Sequence, residues 1–529
     1  MKIVIAEKIA PAAIALFTEE SRWTVITPDQ AQGSLPNHLA DADALIVRSA
    51  VQADAALLEQ ATKLRVIGRA GVGVDNIDLD AATRKGIVVM NTPGANAVAV
   101  AEHTLGLMIA MARQICRAND LMHAGKWEKK SLQGTELRGK TLGVLGLGRI
   151  GAEVARRAQA FGMKVVAHDP YVPPEAAEQL NVQLLSLDEV YKVADYLSLH
   201  MALTPQTNGM IGAEAVRKMK KGVRLVNCAR GELLNEAAVA AAIKDGHIAG
   251  VAVDVFCEEP PKNSPLIGLV QVIATPHIAG STNEAQDAVG VQIAQQVKEY
   301  LKHGVIQNAV NVPSMTEEEY QLARPFIALG GKLGAFLGQI SNGRAEQVIL
   351  RYAGEISRWK TELVRNSVLM GILNEALAGK ANLVNAASLA NERGVQFSEI
   401  RKERSENGAA NVLAVELKSG KETHEARGTV LHGESPRLLS VDEIDIEAPL
   451  GKNLIYIRNR DVPGVVGKVG TILGNAEVNI ADFSLGRATE AKAKPFAIGI
   501  VHIDGRVPEK ILEKLRKVEA IAEARAVVL

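Results

Sequence analysis

Gly146-Leu147-Gly148-Arg149-Ile150-Gly151 follows the apolar run Thr141-Leu142-Gly143-Val144-Leu145 and precedes a helical segment beginning near Ala152. A glycine loop between a strand and a helix permits a tight turn and a close backbone approach. The helix start offers unpaired N–H groups and a positive dipole end to a pyrophosphate. Taken alone the hexapeptide is a weak sign, because such turns also serve packing. The next apolar run, Met163-Lys164-Val165-Val166-Ala167-His168, delivers Asp169 eighteen residues after Gly151, where a carboxylate can accept hydrogen bonds from an adenosine ribose. That carboxylate would repel a 2′-phosphate, and Pro170-Tyr171-Val172 supplies no arginine to offset it. The pattern favours NAD over NADP.

Working outward, the segment before Thr141 carries strand and turn signals of its own, so the nucleotide unit is inserted into something else. Residues 1–97 alternate strand-like runs (Lys2–Ala6, Trp23–Ile26, Ala44–Val47, Leu64–Ile67, Ile87–Met90) with helical segments such as Pro11–Glu20 and Ala53–Glu59, which is α/β patterning. A single long helix is expected from Ala97 to about His123, ended by Gly125 and able to cross between domains. Runs at Val144–Leu145, Val165–Ala167, Tyr196–Leu199, Arg224–Asn227, Gly250–Asp254 and Val272–Ala274 predict a doubly wound parallel sheet of Rossmann type. Ser281-Thr282-Asn283-Glu284 matches a capping box opening a helix to about His303, closed by Gly304. That helix can return the chain to the first unit. The expected division is a substrate domain at 1–97 and 281–308 and an NAD-binding domain at 98–280. An intervening α+β domain is expected at 309–450, and a ferredoxin-like βαββαβ unit at 451–529. Glu317-Glu318-Glu319 reads as a solvated helix start, and residues 309–450 show no catalytic constellation.

Composition narrows the function classes. The 529 residues exceed one core, and sixty basic residues balance sixty acidic ones, leaving no positive field for nucleic acid or anionic membrane. Aromatics are 3%, too few for base-stacking platforms. Cys116, Cys228 and Cys257 lack C-x-x-C spacing, so neither a disulfide framework nor a metal site is expected. No apolar run has the length to span a bilayer, and the opening Met1-Lys2-Ile3-Val4-Ile5-Ala6 reads as a strand. A soluble cytoplasmic protein is the expectation.

Three polar residues follow the strands of the nucleotide unit, where such sheets present side chains to the cofactor cleft. Arg230 follows Leu225-Val226-Asn227-Cys228-Ala229, Glu259 lies in Asp254-Val255-Phe256-Cys257-Glu258-Glu259-Pro260, and His277 in Thr275-Pro276-His277-Ile278-Ala279-Gly280. Each alone is commonplace: a loop histidine, a turn arginine, a solvated Glu-Glu-Pro corner. Together behind a dinucleotide loop they fit alcohol oxidation. His277 can take the hydroxyl proton, Glu259 can stabilise the imidazolium and fix its tautomer, and Arg230 can hold a carboxylate with two parallel hydrogen bonds. Cys228 and Cys257 read as small buried apolar groups, and His103 as a satisfied packing residue.

These motifs, with Arg69-Ala70-Gly71-Val72-Gly73-Val74-Asp75-Asn76, Asn91-Thr92-Pro93-Gly94-Ala95-Asn96 and Ala229-Arg230-Gly231-Glu232, resemble the D-isomer-specific 2-hydroxyacid dehydrogenases over residues 1–308. Val47-Arg48-Ser49, Gly134-Thr135-Glu136-Leu137 and the two C-terminal units make the whole chain similar to the long members of that family, which oxidise 3-phosphoglycerate to 3-phosphohydroxypyruvate with NAD at the start of serine synthesis. The resemblance implies catalytic roles for Arg230, Glu259 and His277. It implies cofactor contacts for Gly146, Gly148, Arg149, Ile150, Asp169, Cys228, Ala229, Arg230, Asp254, His277 and Gly280, with Asp254 at the nicotinamide amide. Arg48 and Ser49 would meet a phosphate, and Gly71, Val72, Gly73 and Asn96 the carboxylate side. Lys129 and Lys130, after Trp127, would lend charge to a neighbouring subunit of a homotetramer. The last unit resembles an ACT domain, whose amino-acid effector, serine in this setting, would meet Asn459, Asp461, Pro463, Gly464 and Asn479; a ligand-free dimerisation module is the alternative. The competing functions are a hydroxypyruvate or glyoxylate reductase of the same family and an NAD-sensing, corepressor-like binding protein. The second has no need to keep Arg230, Glu259 and His277 together.

Overall fold

The computed structural model describes residues 1–404, 410–488 and 496–529, and among these the strands form four sheets. The first contains β1 (Lys2–Ile5), β2 (Thr24–Ile26), β3 (Ala44–Val47), β4 (Val66–Arg69) and β5 (Val88–Met90), all parallel in the order β2-β1-β3-β4-β5. Sheets covered on both faces need near-continuous apolar strands, and Ile3–Ile5 and Ala44–Val47 are fully buried. Helix Asn283–His303 returns to this sheet as expected and ends at Gly304, which takes φ +74°. A Cβ on Gly68 of β4 would lie 2.8 Å from Ile293 and 2.9 Å from Val297, so the bare glycine sets how closely the helix seats. The expected capping box does not form. The cap is Thr282, whose hydroxyl accepts from Ala285 N at 3.1 Å, and the residue three beyond it carries no carboxylate to answer.

The second sheet is the doubly wound one. It holds β6 (Thr141–Leu145), β7 (Lys164–His168), β8 (Gln183–Leu184), β9 (Tyr196–Leu199), β10 (Val223–Asn227), β11 (Ile248–Val253) and β12 (Val272–Ala274) in the order β12-β11-β10-β9-β6-β7-β8, all parallel. The order reverses between β6 and β9, and that switch point opens the crevice in which such sheets bind ligands. The two-residue edge strand β8 was too short to show as an apolar run.

One expected element is two. The helix from Ala97 ends at Arg113, Gln114 takes φ +52°, and a second helix runs Ile115–His123. Thr135 N donates to Ala112 O at 2.9 Å, and the Gln114 amide donates to Gln133 O at 2.9 Å. The returning segment thus takes a carbonyl the helix would have used in its next turn. A Cβ on Gly134 would lie 2.6 Å from that same carbonyl. No residue of helix Ile115–His123 is buried.

The third sheet comprises β13 (Ala345–Gly354), β14 (Gln396–Lys402), β15 (Asn411–Ser419), β16 (Glu422–Leu431), β17 (Ser435–Val441) and β18 (Ile444–Pro449), in the order β14-β13-β15-β16-β17-β18. Strands β15 and β16 pair as a hairpin that turns at Gly420. Helix Glu317–Ile340, opened by a Thr316–Glu319 capping box, covers this sheet and crosses helix Glu362–Leu377. A Cβ on Gly334 would sit 2.2 Å from Val368 O and one on Gly371 2.4 Å from Gly331 O, so the two backbones nearly touch. The fourth sheet, β19 (Asn453–Arg460), β20 (Ile480–Arg487), β21 (Phe496–Ile503) and β22 (Ile521–Val528), is antiparallel in the order β20-β21-β19-β22. With helices Val465–Gly474 and Glu509–Arg516 it completes the βαββαβ unit. Gln339 joins the last two units, its amide nitrogen donating to Val528 O and its oxygen accepting from Val528 N, each at 2.9 Å. Among the described residues no helix is long and apolar enough to cross a membrane.

Candidate active site

The glycine loop leaves β6 with Gly146 at φ +92°. A Cβ on Gly151 would fall 2.0 Å from Gly146 O, whereas nothing lies within 4 Å of the corresponding position on Gly148. Gly148 is the exposed N-cap of helix Arg149–Ala160 and brings no side chain to cap it, which leaves first-turn N–H groups free for an anion. Asp169 braces the loop from the end of β7, accepting from Leu147 N at 2.8 Å and Tyr171 N at 2.9 Å. Open space beside a bare helix start, with a carboxylate at the next strand end, is what a pyrophosphate and ribose require. The Arg149 guanidinium crosses to the first unit and donates to Pro93 O. Ile150 packs partly buried against the core that also holds Cys228, whose thiol burial pushes up to about 12. Cys257, in contrast to the expectation, is exposed. Partial burial of its sulfur and the neighbouring Glu236 carboxylate push its thiol up to about 11, so neither cysteine supplies a thiolate.

Three strand ends carry the expected chemical groups. Past β10, Asn227 folds the chain back: its oxygen accepts from Ala229 N at 3.0 Å and its amide donates to Arg230 O at 2.8 Å. The Arg230 guanidinium donates to Ala229 O at 2.7 Å and reaches Asp75 across the cleft, Nη2 to Oδ2 3.2 Å. Past β11, one Glu259 oxygen accepts from Phe256 N at 3.1 Å and the other lies 2.7 Å from His277 Nδ1. This contact occupies Nδ1 and leaves Nε2 as the free ring nitrogen.

Past β12 the chain turns sharply, with His277 at φ +53°. Backbone in this region is costly for a side-chain-bearing residue and persists only where its surroundings hold it. Asp254 does the holding. Its backbone carbonyl accepts from His277 N at 2.8 Å, and its buried carboxylate accepts from Thr275 Oγ1 at 2.5 Å, Ile278 N at 2.9 Å and Ala279 N at 2.8 Å. Burial favours the neutral acid, but these bonds, with His103 3.5 Å away, outweigh it and hold the carboxyl below its ordinary range. His103 Nε2 is also 3.2 Å from Thr275 Oγ1, so this histidine is satisfied by polar partners.

On the opposite wall, Gly71 takes φ +148°, and a Cβ there would lie 1.4 Å from Arg69 Nη1. The Val72 carbonyl is held by Asn91 Nδ2 at 2.5 Å, and the Gly71 carbonyl by Thr92 N at 3.0 Å. A Cβ on Gly73 would sit 2.2 Å from Arg230 Nη2, and one on Gly280 3.0 Å from Asn96 Nδ2, so both glycines bring the two domains together. The Asn96 oxygen is buried without a partner. Arg48 donates through Nη1 to Lys8 O at 3.3 Å, beside exposed Ser49. Arg69 is the residue the sequence reading passed over. Its guanidinium is pushed below the usual range by burial and by the neighbouring Arg230 charge, and its Nε has no partner. Its place inside the Arg69-Ala70-Gly71 motif was the available signal. Asn227 and Thr275 were also missed, since a polar residue at a strand end gives no sign of which loop it will tie.

Residues 105–279 match the D-isomer specific 2-hydroxyacid dehydrogenase, NAD binding domain; 322–442 match the D-3-phosphoglycerate dehydrogenase intervening domain; and 453–520 match the ACT domain. The chain is 39% identical to D-3-phosphoglycerate dehydrogenase of Methanocaldococcus jannaschii, over 100% of this chain and 99% of that protein. The chain belongs to the D-3-phosphoglycerate dehydrogenase family. Bacillus subtilis D-3-phosphoglycerate dehydrogenase is 36% identical over 99% of both chains. Among solved structures, D-lactate dehydrogenase from Aquifex aeolicus in complex with NAD and lactic acid matches 59% of this chain and all of its own, with 30% identity and a TM-score of 0.52. The family assignment accounts for the NAD-binding fold and for the ACT domain behind it.

The ACT domain holds a cavity of about 160 Å³ lined by Asn459, Asp461, Pro463, Gly464, Phe483 and Leu485 among others. Gly464 takes φ +88° and starts helix Val465–Gly474 without a side-chain cap. Asp461 is paired with Arg487 at 2.6 Å. Asn479 is not among the lining residues of this cavity and bonds Asp504 Oδ2 at 2.7 Å.

Proposed function

We propose that this chain oxidises 3-phospho-D-glycerate to 3-phosphohydroxypyruvate with NAD, the first step of L-serine biosynthesis. The observation that carries this reading is the 2.7 Å pair of His277 and Glu259 at strand ends next to Arg230, in a chain similar over its whole length to proteins named D-3-phosphoglycerate dehydrogenase. Bound NAD supplies the hydride acceptor. With Nδ1 held by Glu259, His277 takes the hydroxyl proton at Nε2, and the adjacent carboxylate stabilises the imidazolium that results. Arg230 holds the substrate carboxylate and polarises the carbonyl as it forms. Arg48 and Arg69 supply positive charge for the phosphate.

A glyoxylate or hydroxypyruvate reductase would use the same three residues but has no call on that second cationic group. The deciding experiment is a steady-state comparison of 3-phosphoglycerate, glycerate and lactate with NAD. Preference for the phosphorylated substrate supports the reading, and equal turnover of glycerate or lactate sinks it.

The division of labour follows from the same reading. Residues 1–97 with 281–308 bind substrate, 98–280 bind NAD, 309–450 intervene and 451–529 sense an effector. Serine is the proposed effector, met by Asn459 and Asp461 in the ACT cavity. Asp461→Ala is expected to abolish serine inhibition while the rate without serine stays within about twofold of the parent, since the residues lining the cavity all lie within the ACT domain; inhibition that persists unchanged refutes the assignment. A homotetramer is proposed because Ile115, Met122 and Trp127 lie exposed on and beside a helix with no buried residue, beside Lys129 and Lys130. The balanced charge and free thiols suit a cytoplasmic enzyme without nucleic-acid partners.

A further inference from the structure

Arg69 feels the positive charges of Arg230 and Arg48, with Asp75 and Glu7 as the opposing charges. The two acids are placed differently. Glu7 is fully engaged by backbone: one oxygen accepts from Arg48 N at 2.8 Å and Val51 N at 3.0 Å, the other from Ala50 N at 3.1 Å. Asp75 is bound to no such frame. Its side chain is 72% exposed, and its carboxylate lies 3.2 Å from Arg230 Nη2, while the Arg230 side chain is 29% exposed. The pair also joins the two domains, because Asp75 sits on the loop after β4 and Arg230 on the loop after β10.

We propose that Asp75 is an internal competitor for the substrate carboxylate: it occupies the guanidinium edge of Arg230 that the 2-hydroxy acid needs, and so sets how tightly the acid binds. The inference rests on the role given to Arg230 above. A guanidinium presents its paired N–H donors along a limited edge, so Asp75 and an incoming carboxylate cannot both take Nη2 with good geometry. On displacement Asp75 turns into water at little cost, because it is already mostly exposed. Glu7 cannot play this part without giving up three backbone bonds. The carboxylate on Asp75 also offsets the mutual repulsion of Arg69 and Arg230, a task the substrate's own charge takes over as it arrives. Partly exposed ion pairs are weak, so the competition tunes affinity and does not block binding.

The test is the KM for the hydroxy acid in Asp75→Asn, which keeps the shape and removes the charge, and in Asp75→Glu, which keeps the charge. Asp75→Asn is expected to lower KM about two- to fivefold with KM for NAD unmoved, and Asp75→Glu to stay near the parent. A KM that rises or does not change in Asp75→Asn overturns the proposal, as does an equal fall in Asp75→Glu. The carboxylate is common to 3-phosphoglycerate, glycerate and lactate, so the shift is expected with whichever of them the enzyme turns over. A wrong choice of substrate therefore leaves this test intact.

Discussion

Replacing His277 by alanine should lower kcat by about 100- to 10,000-fold, the range that a positioned acid–base group contributes, while NAD binds as before. His277 brings the ring nitrogen paired with Glu259, and its backbone rather than its side chain is tied to Asp254. Loss of the imidazole therefore removes the proposed proton acceptor and leaves the turn standing. One complication is that residue 277 lies in the left-handed region at φ +53°, which alanine tolerates poorly. Asparagine adopts it more readily. His277→Asn should therefore show the same loss in kcat with unfolding behaviour nearer to the parent. Direct titration of NAD binding with a kcat measurement separates the possibilities: turnover within tenfold of the parent in either variant removes His277 from the proton-transfer role.

The legible and illegible parts of this molecule divide along a physical line. The parallel sheets could be read because their central strands are apolar runs such as Ala44–Val47, fully buried, and a signal of that kind is local. The glycine loop could be read for the same reason: strand, glycines, helix and Asp169 follow one another within a single βα unit. The break at Gln114 could not, because it depends on Gln133 and Thr135 docking from outside the helix. Nor could the sheet of residues 345–449 be read in full. Its strand β14 has mixed, mostly exposed positions, and so does not alternate cleanly enough to stand out.

The site shows the same division. Arg230, Glu259 and His277 could be singled out because chemistry names the side chains it needs and the fold names the strand ends that present them. Arg69, Asn227 and Thr275 act by what they touch, and those contacts come from segments distant in sequence. Arg69 lies under Gly71 and is drawn into a charge group completed by Arg230 from the other domain.

The C-terminal units share one apolar core with the first sheet: Ile3, Ile5, Leu301, Val305, Met315, Tyr320 and Phe326 belong to the same cluster of buried side chains. Asn382 donates to Gly86 O at 2.8 Å, the turn just before β5. Gln339, near the end of helix Glu317–Ile340, bonds both backbone groups of Val528 in the ACT sheet. The same helix crosses Glu362–Leu377 at glycine contact, and packing that tight does not bend by degrees.

Arg230→Ala is expected to lower kcat by roughly 100- to 1,000-fold, the loss measured when one preorganised donor to a developing oxyanion is removed, and to raise the KM for the hydroxy acid as well. In the proposed role Arg230 meets both the ground-state carboxylate and the charge that grows on the neighbouring oxygen, so the two parameters should move together. Arg230→Lys should recover little, because an ammonium gives a point charge where two parallel donors are needed. Removal of the guanidinium has a second effect. Asp75 loses its partner, and its carboxylate is left facing the position where the substrate's carboxylate would sit. Adding Asp75→Asn to Arg230→Ala should therefore recover part of the lost affinity, whereas in the parent the same change acts by removing a competitor. The two substitutions are consequently not additive. A double variant whose KM equals that of Arg230→Ala alone would mean that Asp75 exerts no charge effect on the substrate, and a single variant with kcat within tenfold of the parent would mean that Arg230 does not touch the reacting oxygen.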